Sequence, residues 1–224
     1  MLGTANVDRA VGTLARGTIH DVYAATSADA VAAHGFALGL ALRASSSCVV
    51  WVMQNRASTE AGRLYGPGLR AWGLDPERLI LATVRETRQL LAAGEEALAS
   101  GAAGAVILSG WGEARDVTLT ASRRLASAAH RSGSTGFFVR AAARPAPSAA
   151  QTRWSVAAAP SRPLEAGAPG RPAFHASLTR SRSGAEPGDW VLEWDREARA
   201  FVDPAASGGV VPVPAHRPAG AHAA

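Results

Sequence analysis

Thr18-Ile19-His20-Asp21-Val22-Tyr23, continuing through Ala24-Ala25-Thr26-Ser27-Ala28-Asp29 into an Ala/Leu-rich stretch, is the passage on which the fold turns. β-Branched and aromatic residues alternate with polar ones over 18–23, the pattern of a short strand. Asp29 then stands where a helix cap belongs, before a helix expected over about 30–43 with apolar Val31, Phe36, Leu38, Leu40 and Leu42.

The chain repeats this strand-then-helix theme. Cys48 to Met53 is an unbroken apolar run, as expected of a central parallel strand covered on both faces. A polar loop is expected over 54–64. Gly66-Pro67-Gly68 then opens a short helix that ends near Gly73. Further strands are expected at 78–82, 104–109 and 136–140. Between them come helices at 86–100, stopped by Gly101, and at 116–131, capped by Asp116 and ended by Gly133. Short apolar runs alternating with helices give an α/β fold, a mostly parallel twisted sheet with helices on both faces. After Arg140 the character changes. An Ala/Pro/Arg loop (141–149) leads to strands at 152–158, 173–181 and 189–195 with no helix between them. The turn at 183–188 makes the last two an antiparallel C-terminal hairpin at the sheet edge. The expected organisation is an N-terminal segment (1–13), one core domain (14–202) and a Pro/Gly/Ala tail (203–224) expected to be disordered.

Composition narrows the chemistry. At 224 residues, with 47% hydrophobic and 18% charged residues, the chain can bury a full core without disulfides or metal. All 23 basic residues are arginine, which excludes Schiff-base chemistry and a standard phosphate loop, both of which need lysine. A single cysteine, Cys48, excludes a disulfide framework and a Cys-rich zinc site, and at the head of a buried strand it is expected to be inert. Six scattered histidines show no metal-ligand spacing, so neither metal nor cofactor is expected. No apolar run is long enough to span a membrane, and the first eight residues do not read as a secretory signal, so a cytoplasmic location is expected. The net charge of +5 is uneven. Over 123–182 ten arginines face Glu165 alone, which suggests an anionic partner such as nucleic acid. A GC-rich codon bias explains arginine in place of lysine but not the missing acids.

Several strings resemble the RecA recombinase core. They are Leu14-Ala15-Arg16-Gly17 running into the 18–23 strand, Leu74-Asp75-Pro76-Glu77-Arg78, Gly104-Ala105-Val106-Ile107-Leu108, and Arg180-Ser181-Arg182 before Pro187-Gly188. Within that superfamily the closer resemblance is to the ImuA family of bacterial inducible-mutagenesis cassettes. It is carried by Gly62-Arg63-Leu64-Tyr65-Gly66-Pro67-Gly68-Leu69, Leu119-Thr120-Ala121-Ser122-Arg123-Arg124-Leu125-Ala126, Thr152-Arg153-Trp154 and Asp189-Trp190-Val191-Leu192-Glu193-Trp194-Asp195, over about 14–202.

The resemblance places a phosphate loop, G-x-x-x-x-G-K-[ST], directly after the first strand. Its glycines turn backbone N–H groups toward phosphates and its lysine neutralises them. Here the glycine positions hold Ala24 and Asp29, the lysine position Ala30 and the magnesium-binding hydroxyl position Val31. Replacing attraction by repulsion at ~4 Å and an effective dielectric of ~20 changes each contact by several times ~1 kcal/mol. The acid after the second strand is replaced by Gln54, and the acid ending the 104–109 strand by Ser109, with Glu113 several residues late. No catalytic residue and no ATP hydrolysis are expected. The remaining site candidates are Arg140, Arg144 and Arg153, bracketing a loop that resembles a DNA-contacting loop, and Arg180 and Arg182, for partner or self-association contacts. Trp190 and Trp194, evenly spaced on one strand, are expected to pack in the core. Tyr65 and Trp72 beside Gly66-Pro67-Gly68 read as a structural turn, with a partner surface as the alternative. The resemblance implies an adaptor in DNA-damage-induced translesion synthesis. Its implied partners are an ImuB-type Y-family polymerase-like protein and an error-prone second replicative polymerase subunit. The alternatives are an arginine-rich single-stranded-DNA-binding module and a regulator of RecA filaments.

Overall fold

A computed structural model describes residues 8, 14–163, 168 and 170–204. The expected N-terminal segment, apart from Asp8, and the tail from residue 205 on therefore lie outside the described residues. The strands are β1 (Ile19–Ala24), β2 (Val49–Gln54), β3 (Leu79–Val84), β4 (Ala105–Trp111), β5 (Thr135–Ala141), β6 (Thr152–Ala158), β7 (Ala173–Ser181), β8 (Gly188–Asp195) and β9 (Ala200–Val202). The helices are α1 (Ala30–Ala44), α2 (Asn55–Ala61), α3 (Gly66–Trp72), α4 (Thr87–Ala99) and α5 (Leu119–Ser132).

All nine strands form one sheet in the order β3-β2-β4-β5-β1-β6-β7-β8-β9. Every pairing from β3 to β6 is parallel, and every pairing from β6 to β9 is antiparallel. The mixed α/β expectation and its C-terminal hairpin therefore hold. Strand residues of one parity feed one core and those of the other parity a second, since successive side chains point to opposite faces. Val49, Trp51, Ile107, Phe137 and Val139 join α1, while Val52, Val106, Leu108 and Phe138 join Leu90 and Leu98 of α4 and Leu125 of α5. On the α1 side an aromatic cluster ties the parallel half to the hairpin. The Phe36 ring lies 5.4 Å from Trp154, 5.9 Å from Phe174 and 5.0 Å from Phe201. Trp194 is buried and Trp190 packs partly buried beside it on the same core, as expected from their spacing.

Four local expectations change. Residues 55–61 are helical rather than loop. α2 buries only Ala57, so it has no apolar stripe to betray it, and Arg56 and Glu60 approach to 3.9 Å one turn apart. α5 is capped by Thr118, whose hydroxyl accepts from the Ala121 N–H at 3.1 Å, while Asp116 faces Arg88 at 3.8 Å. Asp29 precedes α1 as expected, but its side chain makes no cap bond to that helix. β9 was not anticipated. Three residues, Ala200-Phe201-Val202, are too few to show a period, and Arg199 before them adopts a left-handed φ of 48°.

Gly39 lets α1 sit directly on the aromatic cluster. A Cβ there would lie 2.6 Å from Phe201 and 3.0 Å from Trp194. Alanine raises helix propensity by ~1 kcal/mol, but overpacking a closed core costs roughly 1–3 kcal/mol. Gly39→Ala is therefore expected to lower stability. Urea unfolding checks this, and a midpoint equal to or above that of the native chain contradicts it.

Candidate functional site

The turn after β1 is closed by its own carboxylate. Residues 25–29 carry the chain from β1 into α1, and Asp29 turns back over them. Its Oδ2 accepts from the Thr26 hydroxyl at 2.6 Å and the Thr26 N–H at 3.1 Å, and its Oδ1 accepts from the Ala158 N–H at the end of β6 at 2.9 Å. The Thr26 hydrogen bond, with the Ala158 and Thr26 N–H groups adding to it, holds the Asp29 carboxyl below the usual carboxylate range. Nearby, Ala24 and Ala30 are buried, and Val31 points away and is 63% exposed. A negative group at a helix N-terminus is where the macrodipole favours one. Here it belongs to the chain itself.

Gln54 and Ser109 are also internally matched. Gln54 donates to the Arg85 carbonyl at 3.3 Å and accepts from the Trp111 N–H at 3.1 Å, so it joins the ends of β2, β3 and β4. Ser109 accepts from the Trp51 indole N–H at 2.8 Å and is fully buried. Glu113 accepts from the Arg144 backbone N–H at 2.7 Å.

A second constellation lies on the opposite face of β1. β5 ends beside Tyr23 and β6 begins beside His20, so residues 142–151 must run back along β1 to join them. They do so as an irregular strap held by side chains. Tyr23 accepts from the Ala146 N–H at 3.2 Å and Ser122 from the Ala149 N–H at 3.0 Å. The carbonyls are met by arginines. Arg153 donates to Ala146 O, Arg180 to Ser148 O at 3.1 Å and Ala150 O at 2.8 Å, and Arg182 to Ser148 O at 3.1 Å. At the centre Asp21 accepts from the Ser148 hydroxyl at 2.5 Å and pairs with Arg153 at 3.3 Å, both side chains largely buried. Burial raises the Asp21 carboxyl above its ordinary value, against the pull of Ser148, Arg153 and Arg180. Burial, with the like charge of Arg153, lowers Arg180.

The arginines named from the sequence are placed differently from one another. Arg140 is only 3% exposed; it donates to the Tyr23 hydroxyl at 3.2 Å and lies over the Tyr23 and Phe138 rings. Arg153 and Arg180 are committed to Asp21 and to the strap. Arg144 and Arg182 remain at the surface, although Arg182 also holds the strap. Asp21 escaped the sequence reading. Its signal was a carboxylate in the middle of an apolar central strand, and its partner lies 132 residues away.

A cavity of about 460 Å³ lies on the α1 side, between α1 and the α2–α3 segment. His34 and Trp72 line it, and His34 Nε2 and Trp72 Nε1 are buried with no hydrogen-bond partner. An unmatched buried polar atom costs about 1–3 kcal/mol. Burial pulls the His34 pKa down to about 4, against a bond to the Ala30 carbonyl. Cys48 is half-buried rather than enclosed. Among the described residues no three His, Cys, Asp or Glu side chains gather as a metal site, and no helix is long and apolar enough to cross a membrane.

The site and sheet define a mostly parallel α/β protein whose first strand-to-helix turn is sealed from within. No family model matches the chain. Over 157 residues, 65% of its length, it is 34% identical to Protein ImuA of Caulobacter vibrioides strain NA1000 / CB15N, and equally to Protein ImuA of strain ATCC 19089 / CIP 103742 / CB 15. The match spans 59% of the length of these relatives.

Two outcomes follow from this geometry. Arg153→Ala leaves Asp21 buried without its ion partner and is expected to cost about 3–5 kcal/mol in urea unfolding. The double variant Asp21→Asn/Arg153→Met is expected to recover part of that loss, and an additive double variant contradicts the pairing. Acidification has a defined sign. Burial lowers both His20 and His34 to about 4, below the unfolded value of about 6.5. Between those values the unfolded chain takes up protons that the native chain refuses, so stability falls as pH drops from about 6.5 to about 4. Asp21, raised by burial, works in the opposite direction. Thermal unfolding is expected to show a net drop in Tm over this window, with the slope roughly halved in His34→Gln. A flat Tm contradicts it.

Proposed function

We propose that the chain is a non-catalytic adaptor in DNA-damage-induced translesion synthesis, with an ImuB-type Y-family polymerase-like protein and an error-prone second replicative polymerase subunit as its partners. The observation that carries this reading is the carboxylate of Asp29, bonded to Thr26 and Ala158 at the place where a triphosphate would need lysine and open N–H groups. Gln54 and Ser109 support it, because neutral groups committed to internal hydrogen bonds neither activate water nor hold magnesium. Similarity to Protein ImuA of Caulobacter vibrioides supports the mutagenesis context. The reading as a single-stranded-DNA-binding module loses support from the burial of Arg140 and the commitment of Arg153.

The test uses the purified full chain. With Mg·ATP, turnover is expected to stay at the buffer rate. With a purified ImuB-type protein, a complex is expected on gel filtration without nucleotide or DNA, and its Kd by calorimetry is expected not to move on adding ATP. ATP turnover that Asp29→Ala abolishes, or a complex that forms only with nucleotide, overturns the proposal. Single-strand binding that weakens steeply with salt and disappears in Arg144→Ala supports the DNA-binding reading instead.

A further inference from the structure

The cavity beside α1 plays no part in that reading, yet its chemistry is specific. His34 bonds the Ala30 carbonyl through one ring nitrogen, so the unmatched Nε2 of the neutral ring is an acceptor. Trp72 Nε1 is an unmatched donor. Both side chains line one apolar groove, floored by Trp51 and Phe174 and rimmed by Tyr65 and Val31, which are 70% and 63% exposed. An occupant that satisfies it must bring apolar bulk together with one N–H and one C=O. Extended polypeptide does this, and proline-containing segments in particular dock on aromatic-lined grooves, because their backbone is already ordered and their carbonyls are free.

The chain carries such a segment. Val210-Val211-Pro212-Val213-Pro214 is apolar and uncharged; its valines supply N–H groups and its prolines favour the extended form. The described chain runs to Pro204, just past β9, whose Phe201 ring lies 6.1 Å from Phe174 in the groove wall. The stretch from Pro204 to Val210 spans up to roughly 20 Å at ~3.3 Å per residue.

We propose that the groove between α1 and the α2–α3 segment is a binding site for an extended proline-containing peptide, and that its occupant is Val210–Pro214 of the same chain. The bound segment offers a valine N–H to His34 Nε2 and a backbone carbonyl to Trp72 Nε1, and it covers Tyr65 and Val31. The site stands whether or not the adaptor reading holds.

Hydrogen exchange by mass spectrometry on the full chain tests this. Peptides covering 61–69 and 208–216 are expected to exchange ~10-fold more slowly in the native chain than in Val211→Ser/Val213→Ser. The far-UV circular dichroism of the variant is expected to match that of the native chain, so that a difference in exchange does not come from loss of the fold. A synthetic peptide of residues 205–218 added to the variant is expected to restore protection at 61–69, and not to restore it in a variant that also carries Tyr65→Ser. Equal exchange in the native chain and the variant overturns the proposal. Protection that disappears on hundredfold dilution also overturns it, since the occupant is then the tail of a second copy.

Discussion

Two strands, β5 and β6, flank β1 and run parallel to it, so the chain must return across one face of β1 to connect them. Elsewhere in the parallel half such a return is made by a helix, which satisfies its own backbone. Here it is made by residues 142–151 without a helix, and Pro145 and Pro147 within them lack N–H groups altogether. An irregular segment laid on a sheet must find partners for its carbonyls, because buried backbone groups are almost always paired. The arginines of β6 and β7, with the one just past β7, are those partners. Arg153, Arg180 and Arg182 reach the carbonyls of residues 146, 148 and 150, and Asp21 balances part of their charge from below.

This accounts for part of the basic block: Arg140, Arg153 and Arg180 are buried or half-buried, while Arg123, Arg124, Arg131, Arg144, Arg162, Arg171 and Arg182 are exposed. An acid among these arginines would compete with the carbonyls for the same N–H donors and add a second buried charge. One carboxylate, Asp21, suffices, and burial already disfavours its ionised form. The charge asymmetry visible in the sequence is therefore partly an internal feature of the fold and partly a surface one. Read as a string it looks like a surface for an anion, because linear charge counts carry no information about which face of a strand a side chain occupies.

The rest of the fold was legible where a period had room to repeat. β2, β4 and β5 are continuous apolar runs, and α4 and α5 end at Gly101 and Gly133, both with positive φ. The hairpin of β7 and β8 followed from its turn residues. α2 was hidden because it buries one alanine, β9 because it is three residues long, and the Thr118 cap because Asp116 two residues earlier is an equally good capping residue by type. The candidate site was half legible. That Ala24, Asp29 and Ala30 stand after β1, with neither glycine nor lysine there, is a local fact and could be read directly. The bond from Asp29 to Ala158 and the pairing of Asp21 with Arg153 join residues more than a hundred positions apart, and no local pattern reports them.

Those two long-range contacts act on the same strand. β6 is the hinge of the sheet, parallel to β1 on one side and antiparallel to β7 on the other. Arg153 fixes its beginning to β1 and the strap, and the N–H of Ala158 fixes its end to the turn before α1. A turn that receives a triphosphate must leave its N–H groups free for the ligand. This one spends its carboxylate on bracing β6, and with β6 the hairpin beyond it, against the parallel half. The Asp29 carboxylate thus also helps to join the two halves of the sheet into one body.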